Sequence, residues 1–323
     1  PHPMLTKPII ENAIALMRTS VLESDRVYQQ KWPMLSPMSE RHPILFRSVL
    51  SAVVTIAVFA AVECGLRWSG SSWSELYDGD PYTHWRLKPE LSLDAVPHRE
   101  RGTHFSVRTS ADRLRDGQIP EAEPWVLTVG CSTTFGWGVE AEQAWPEQLE
   151  GLVGVEVINA GVPGHSTHQG LPFAEPLIAR RPDVVVLGWG LRDGDLAVGP
   201  DSERAEPPAL ERLELIKVLR RLMGQRAAVK GDAFRVPPKE YARNMKTAAS
   251  WARGVGASVL VVDMTNGPAH AEALRTLSVP VIKPSLTAAH RFENDPVHFT
   301  VDGNRSIAEQ LATHISALLT ESA

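Results

Sequence analysis

A chain of 323 residues, 43% of them apolar and 22% charged, is long enough to bury a real core as one large domain or two small ones. Its formal net charge of -5, with no long basic run, argues against a nucleic-acid surface and leaves small or neutral partners as the natural ones. Two cysteines, Cys64 and Cys131, cannot make a disulfide framework, and neither has a CxxC or Cys/His companion that would suggest zinc.

Residues 1–42 carry no functional signal. The chain opens on Pro1, while Met38 begins a stretch (MSERHPILFRSVL) that looks like the natural start of a signal sequence, so residues 1–37 read as a tag, upstream translation or a cytoplasmic tail. Residues 43–66 are different. Within them 49–62, VLSAVVTIAVFAAV, is uncharged and bracketed by Arg47 and Glu63. Counted from Ser48 the run spans only ~22 Å as a helix, short of a hydrocarbon core of ~30 Å. Adding residues 43–46, with Arg47 snorkelling to the headgroups, restores roughly 20 residues. A retained signal anchor is the preferred reading, ahead of a cleaved signal peptide and a buried core helix. Val62-Glu63-Cys64 is a poor lipoprotein cleavage site, because a glutamate precedes the cysteine. Lys31, Arg41 and Arg47 precede the segment and Glu63 follows it, so the positive-inside rule puts the N-terminus in the cytoplasm and the rest outside. An uncleaved segment makes the chain membrane-anchored; cleavage makes it secreted.

Residues 67–123 show no sustained period of 3.6 or 2 and read as a loop-rich segment that wraps the next domain. From residue 124 the rhythm changes to short apolar runs separated by helical stretches. Strands are expected at 125–130, 155–160, 183–188, 258–264 and 279–283, with helices at 142–152, 167–180, 209–223, 238–253, 270–277 and 304–319. Continuous apolar strands alternating with helices predict an α/β fold, a three-layer α/β/α sandwich on a mainly parallel five-stranded sheet. Residues 195–236 form an excursion between the third and fourth strands, and its expected helix has a basic face of Arg212, Lys217, Arg220 and Arg221. Leaving from the carboxyl end of a strand, it is either a lid over a site or a solvated decoration.

Ligands of an open α/β sheet sit at the carboxyl ends of the strands. Reading the residues after each apolar run gives Cys131 and Ser132, then Gly161 and Gly164, then Gly190, Arg192 and Asp193, and late in the chain Asp295 and His298. An alcohol, an imidazole, a carboxylate and amide donors are what nucleophilic acyl transfer requires. Three residues apart in a turn, Asp295 reaches the Nδ1 side of His298 and leaves Nε2 free for a serine.

These blocks resemble the SGNH (GDSL-type) hydrolases, in particular their membrane-anchored or secreted members. Gly130-Cys131-Ser132 matches the nucleophile block, Asn159-Ala-Gly-Val-Pro-Gly164 the glycine block, Gly190-Leu191-Arg192-Asp193 the block usually read Gly-x-Asn-Asp, and Asp295 to His298 the final Asp-x-x-His block. Upstream, HWRLKPELS and VRTSADRLRDG also resemble the subgroup, so the likeness runs from about Thr83 to the C-terminus. It implies the flavodoxin-like SGNH fold, Ser132 as nucleophile, His298 as base, Asp295 as its orienter, and an oxyanion hole from Ser132, Gly164 and the third block. It implies no metal or organic cofactor. Cys131 stands where the family has aspartate, outside the triad. Arg192 stands where an asparagine amide would bind the oxyanion, and it is longer and forked.

The expected function is therefore an extracytoplasmic serine esterase working through an acyl-enzyme on O-acyl groups of cell-surface glycans or on lipid esters. An O-acyltransferase, or a catalytically weak protein that binds a glycan or partner, are the alternatives. Trp137 reads as cleft wall or packing. His165 and His168 lack a third metal ligand, Asp193 and Asp195 read as loop caps with Asp193 the fallback carboxylate, and Asn304-Arg-Ser306 matches both a glycosylation sequon and a helix start.

Overall fold

The computed structural model describes residues 43–68, 75–100, 102–121, 124–203, 213, 215–216, 218–219 and 231–322. The chain divides into two units, residues 1–65 and 66–323. In the first unit the described part is helix α1, Pro43–Trp68, which runs on into the second. Its stretch Ile44–Leu66 is strongly apolar, with a mean hydropathy of 2.2, and none of it is buried. By length and composition it can cross a membrane.

The second unit is built on a five-stranded parallel sheet. Its strands are β5 (Trp125–Gly130), β6 (Glu156–Gly161), β7 (Val184–Gly188), β10 (Ser258–Val262) and β11 (Val281–Ile282), in the order β11-β10-β7-β5-β6. The first of these strands in the chain lies between the second and the third, so the order in which strands are added reverses at the β5/β7 boundary. In such a sheet that boundary is where ligands bind.

Alternating side chains on these strands feed two cores. Leu127, Val129 and Ile158 pack with Ala174, Ile178, Tyr241, Met245 and Leu274, which come from α4 (Thr167–Ile178), α5 (Pro238–Gly254) and α6 (Pro268–Leu274). Val126, Val184, Val186 and Leu260 face the other way. They pack with Trp145 and Leu149 of α3 (Trp145–Val153) and with Ile307, Leu311 and Ile315 of α7 (Val301–Ser322). Both faces of the sheet are thus covered, which is why its strands read as continuous apolar runs.

Element ends differ from expectation for local reasons. The last strand is two residues rather than five, because Pro280 and Pro284 flank it and a proline has no N–H for the ladder. The expected helix at 142–152 splits into a 3-10 turn, Ala141–Gln143, and α3, with the extended Ala144 between them and Pro146 in the helix's first turn. Of the expected helix at 209–223, residues 215–216 and 218–219 are described and helical, while its basic face of Arg212, Lys217, Arg220 and Arg221 lies outside the described residues. So does most of the proposed lid; its base is described, with β8 (Leu196–Ala197) pairing antiparallel with β9 (Ala233–Phe234).

Residues 75–121 hold regular structure where loops were expected. Strands β1 (Tyr77–Asp80) and β2 (His84–Leu87) form one antiparallel hairpin, and β3 (Ser92–Pro97) and β4 (His104–Arg108) another. Leu87, Val96, Phe105 and Val107 build a third core with Phe135 and Val162.

Candidate active site

Ser132 opens a one-turn helix, α2 (Ser132–Phe135), closed by Gly136 in the left-handed conformation at φ 74°. Beneath this turn Gly130, Gly161 and Gly188 end three adjacent strands, and they are paired in register. A Cβ on Gly161 would run into the Phe135 backbone, and one on Gly188 would lie 2.7 Å from Thr134 Oγ1. Glycine is needed because the turn sits directly on the strand ends. That seat lifts Ser132 to the carboxyl edge of the sheet at the switch point. Cys131 is fully buried, with Sγ 3.2 Å from Thr133 Oγ1.

Asp295 and His298 lie in the loop before α7 and meet Ser132 there. The His298 Nδ1–H donates to Asp295 Oδ2 at 2.7 Å, and Nε2 accepts from Ser132 Oγ at 2.8 Å. All three side chains are buried, with exposures of 2% for Ser132, 1% for Asp295 and 7% for His298. Burial lowers the pKa of His298 from its ordinary value, and the positive charges of Arg192 and Arg99 push the same way, against the pull of Asp295. Burial alone would raise Asp295, but the hydrogen bond from His298, that ring's charge and the Val297 N–H together bring it down to about 2. A neutral imidazole beside a fixed carboxylate is the state that can take a hydroxyl proton at neutral pH.

Gly164 holds φ 86°, and a Cβ there would lie 2.9 Å from the Trp85 ring, so the position is closed to other residues. Its carbonyl accepts from Arg235 Nη1 at 3.0 Å, and Arg235 also pairs with the buried Asp201 at 2.8 Å. The base of the 195–236 excursion therefore fixes the glycine block. Arg192 donates from Nη1 to Asp195 Oδ2 at 3.1 Å, while its Nε is buried with no hydrogen-bond partner among the described residues. Its charge acts on both His298 and the Tyr77 phenol.

Three residues at the site were not singled out individually in the sequence: Trp85, inside the HWRLKPELS segment, His98, and Arg235 at the end of the 195–236 excursion. His98 follows β3 and puts Nε2 3.2 Å from Asp295 Oδ2, with both side chains buried. Trp137 packs between Phe105, Phe135 and the His298 ring, whose centroid is 6.4 Å away. His98, Asp295 and His298 bring three ligand-type atoms within 4.8 Å of one another, a spacing that a metal ion also needs. The protons point elsewhere. His98 Nδ1 accepts from the Glu100 N–H at 3.1 Å, which leaves the ring proton on Nε2, facing the carboxylate.

The other residues singled out have structural partners. Asp193 is buried and accepts from Thr167 N at 2.8 Å and Oγ1 at 2.5 Å, and burial lifts its pKa to about 6 despite those bonds. The structure keeps it apart from the Ser132–His298 pair, on the start of α4. His165 is buried against the Trp85 carbonyl at 2.8 Å, and His168 lies 3.7 Å from Glu240. Asn304 is neither an exposed sequon nor a simple cap. It is 1% exposed inside α7, where its Oδ1 accepts from Trp145 N at 3.1 Å and its amide donates to the Phe299 and Thr300 carbonyls.

Residues 127–306 match the model of the GDSL-like lipase/acylhydrolase family. The chain belongs to that family. As a member it is a hydrolase of ester bonds, and the matched residues include Ser132, Gly164, Arg192, Asp295 and His298. Among solved structures the chain is similar to the psychrotrophic esterase EstA from Pseudoalteromonas sp., at 15% identity over 61% of this chain and 100% of that one, with a TM-score of 0.42. It is also similar to TesA, at 17% identity over 60% and 99% with a TM-score of 0.42. A family two carbohydrate esterase from Clostridium thermocellum, solved with cellohexaose, is 11% identical over 64% and 67%, with a TM-score of 0.42. Likenesses at this level carry no argument about substrate. No curated protein matches the chain.

Proposed function

We propose that Ser132 is the nucleophile of a two-step ester hydrolysis, with His298 as general base and acid and Asp295 as the group that orients it. What carries the reading is the unbroken chain of hydrogen bonds from Asp295 through His298 to Ser132, at 2.7 and 2.8 Å. Ser132 Oγ attacks the ester carbonyl carbon as its proton passes to His298 Nε2. The tetrahedral intermediate collapses, the alcohol leaves with that proton, and the acyl group stays on Oγ. Water then repeats the sequence and releases the acid. The oxyanion is held by the backbone N–H groups of Ser132 and Gly164, with Arg192 in place of the family's amide. An unspent buried donor favours this role for Arg192, because a buried N–H without an acceptor costs stability until a ligand supplies one.

The substrate we assign is an O-acyl ester of a cell-surface glycan or a lipid ester, met outside the cytoplasm by an enzyme anchored through α1. Support comes from the apolar length of α1 and from the basic residues on its N-terminal side. The test is labelling of the full chain in detergent by a serine-directed phosphonate, alongside hydrolysis of short-chain aryl esters. Wild type and Cys131→Ala should label and turn over, and Ser132→Ala should do neither. Full activity in Ser132→Ala would sink the mechanism.

A further inference from the structure

The family model begins at residue 127, yet the carboxylate of the proposed triad has a partner from well before it. His98 lies at the start of the turn joining β3 to β4. Its Nδ1 accepts the Glu100 N–H at 3.1 Å, so the neutral ring carries its proton on Nε2. That Nε2 is buried, makes no well-aligned hydrogen bond among the described residues, and faces Asp295 Oδ2 at 3.2 Å. The contact is thus a charge–dipole approach rather than a linear bond. The same oxygen accepts from His298 Nδ1, while Oδ1 accepts from Val297 N at 3.3 Å.

The rest of the turn is clamped to the same loop. Glu100 accepts from Asn294 N at 2.8 Å through one oxygen and from Asn294 Nδ2 at 2.6 Å through the other. The His98 ring lies 4.4 Å from the Phe292 ring, and a Cβ on Gly138 would come within 2.8 Å of it. Gly138 follows the nucleophile turn, so the ring is wedged between that turn and the Asp295 loop, with no room to rotate away.

We propose that His98 is a positioning residue for the Asp295–His298 pair: its Nε2–H holds the carboxylate oxygen on which the orientation of the base depends. The proposal rests on the reading of Ser132, His298 and Asp295 given above. A cation bridging the three groups is the competing use of the cluster. It would need the His98 proton on Nδ1, against the Glu100 N–H, and so runs counter to the hydrogen bonding.

The groups facing His98 are Asp295, His298 and the Glu100 carboxylate, and those facing His298 include Arg192 and Arg99. Charge removal at His298, Glu100, Arg192 or Arg99 would blur the readout, so the substitutions are confined to His98 and, to test the coupling, Asp295. In the full chain, His98→Leu removes the donor and His98→Gln keeps an N–H near the Nε2 position. The expected result is a fall in kcat and in the phosphonate labelling rate of about 10- to 100-fold for His98→Leu, with KM within about threefold and most of the loss restored by His98→Gln. In an Asp295→Asn background the same His98→Leu change should cost about twofold or less, because His98 acts through the carboxylate. Labelling of His98→Leu at the wild-type rate, or an equal loss with and without Asp295, would overturn the proposal while leaving the triad intact. Failure of wild type to label at Ser132 would instead sink the triad reading and this proposal together. Thermal unfolding of each variant separates lost activity from lost fold.

Discussion

At the scale of single residues, Arg192 carries the question that matters most for rate. Its Nη1 is committed to Asp195 and its Nε is a buried donor with no acceptor among the described residues. Loss of one oxyanion donor typically costs a factor of about 10² to 10³ in kcat. Arg192→Ala is therefore expected to lose about that much turnover on an aryl ester, with little change in KM. An unchanged kcat would show that the two backbone N–H groups suffice. The proposed base sets a second expectation. His298 must be neutral to accept a proton, and burial together with Arg192 and Arg99 lowers its pKa. Activity should be lost as pH falls through that lowered pKa, so the acidic half-point of kcat/KM should lie below the unperturbed value of about 6.5. A half-point above it would mean that Asp295 outweighs burial. Ser132, Asp295 and His298 were legible because each signal is local: a serine after an apolar run, and two groups three residues apart. His98 was not legible, because only the β3–β4 turn brings it to Asp295 and nothing in its own neighbourhood marks it.

At the scale of elements, the strands of the main sheet were readable because a parallel sheet buried on both faces needs unbroken apolar runs. The two hairpins were missed for the converse reason. Strand β1 is YDGD and mostly half-exposed, and β3 has an irregularity between Leu93 and Val96, so neither shows a period of two. The row of glycines under α2 was present in sequence as three strand ends, but its purpose needs the register. Gly161→Ala tests it. The added Cβ meets Phe135 backbone, which can yield only by lifting the nucleophile turn. A loss of about 1–3 kcal/mol in unfolding free energy is expected, with a larger proportional fall in kcat. Gly151→Ala, in α3 with open space around it, should be neutral or stabilising by up to about 1 kcal/mol. Equal stability of the two variants in chemical denaturation would remove the argument that the turn rests on the strand ends.

At the scale of the whole molecule, the two units ask for different surroundings. The second has three cores of its own, one of them closed by the hairpins. The first offers α1, whose side chains from Ile44 to Val62 are apolar except for Arg47, Ser48, Ser51 and Thr55, and are largely exposed. Its 26 residues span ~39 Å at 1.5 Å each, enough to cross a hydrocarbon core of ~30 Å. Burying such a helix in lipid removes its apolar surface from water without exposing backbone polar groups, which the helix satisfies internally. The full chain should therefore sediment with membranes, resist release by high salt and come away with detergent. The orientation proposed above rests on charge: with Lys31, Arg41 and Arg47 on the N-terminal side, the positive-inside rule predicts that this side faces the cytoplasm. A membrane-impermeant phosphonate should accordingly label Ser132 in sealed right-side-out vesicles. In inside-out vesicles labelling should appear only after detergent. The reverse pattern would place the esterase in the cytoplasm, and labelled protein that stays in the supernatant would mean that the segment is removed.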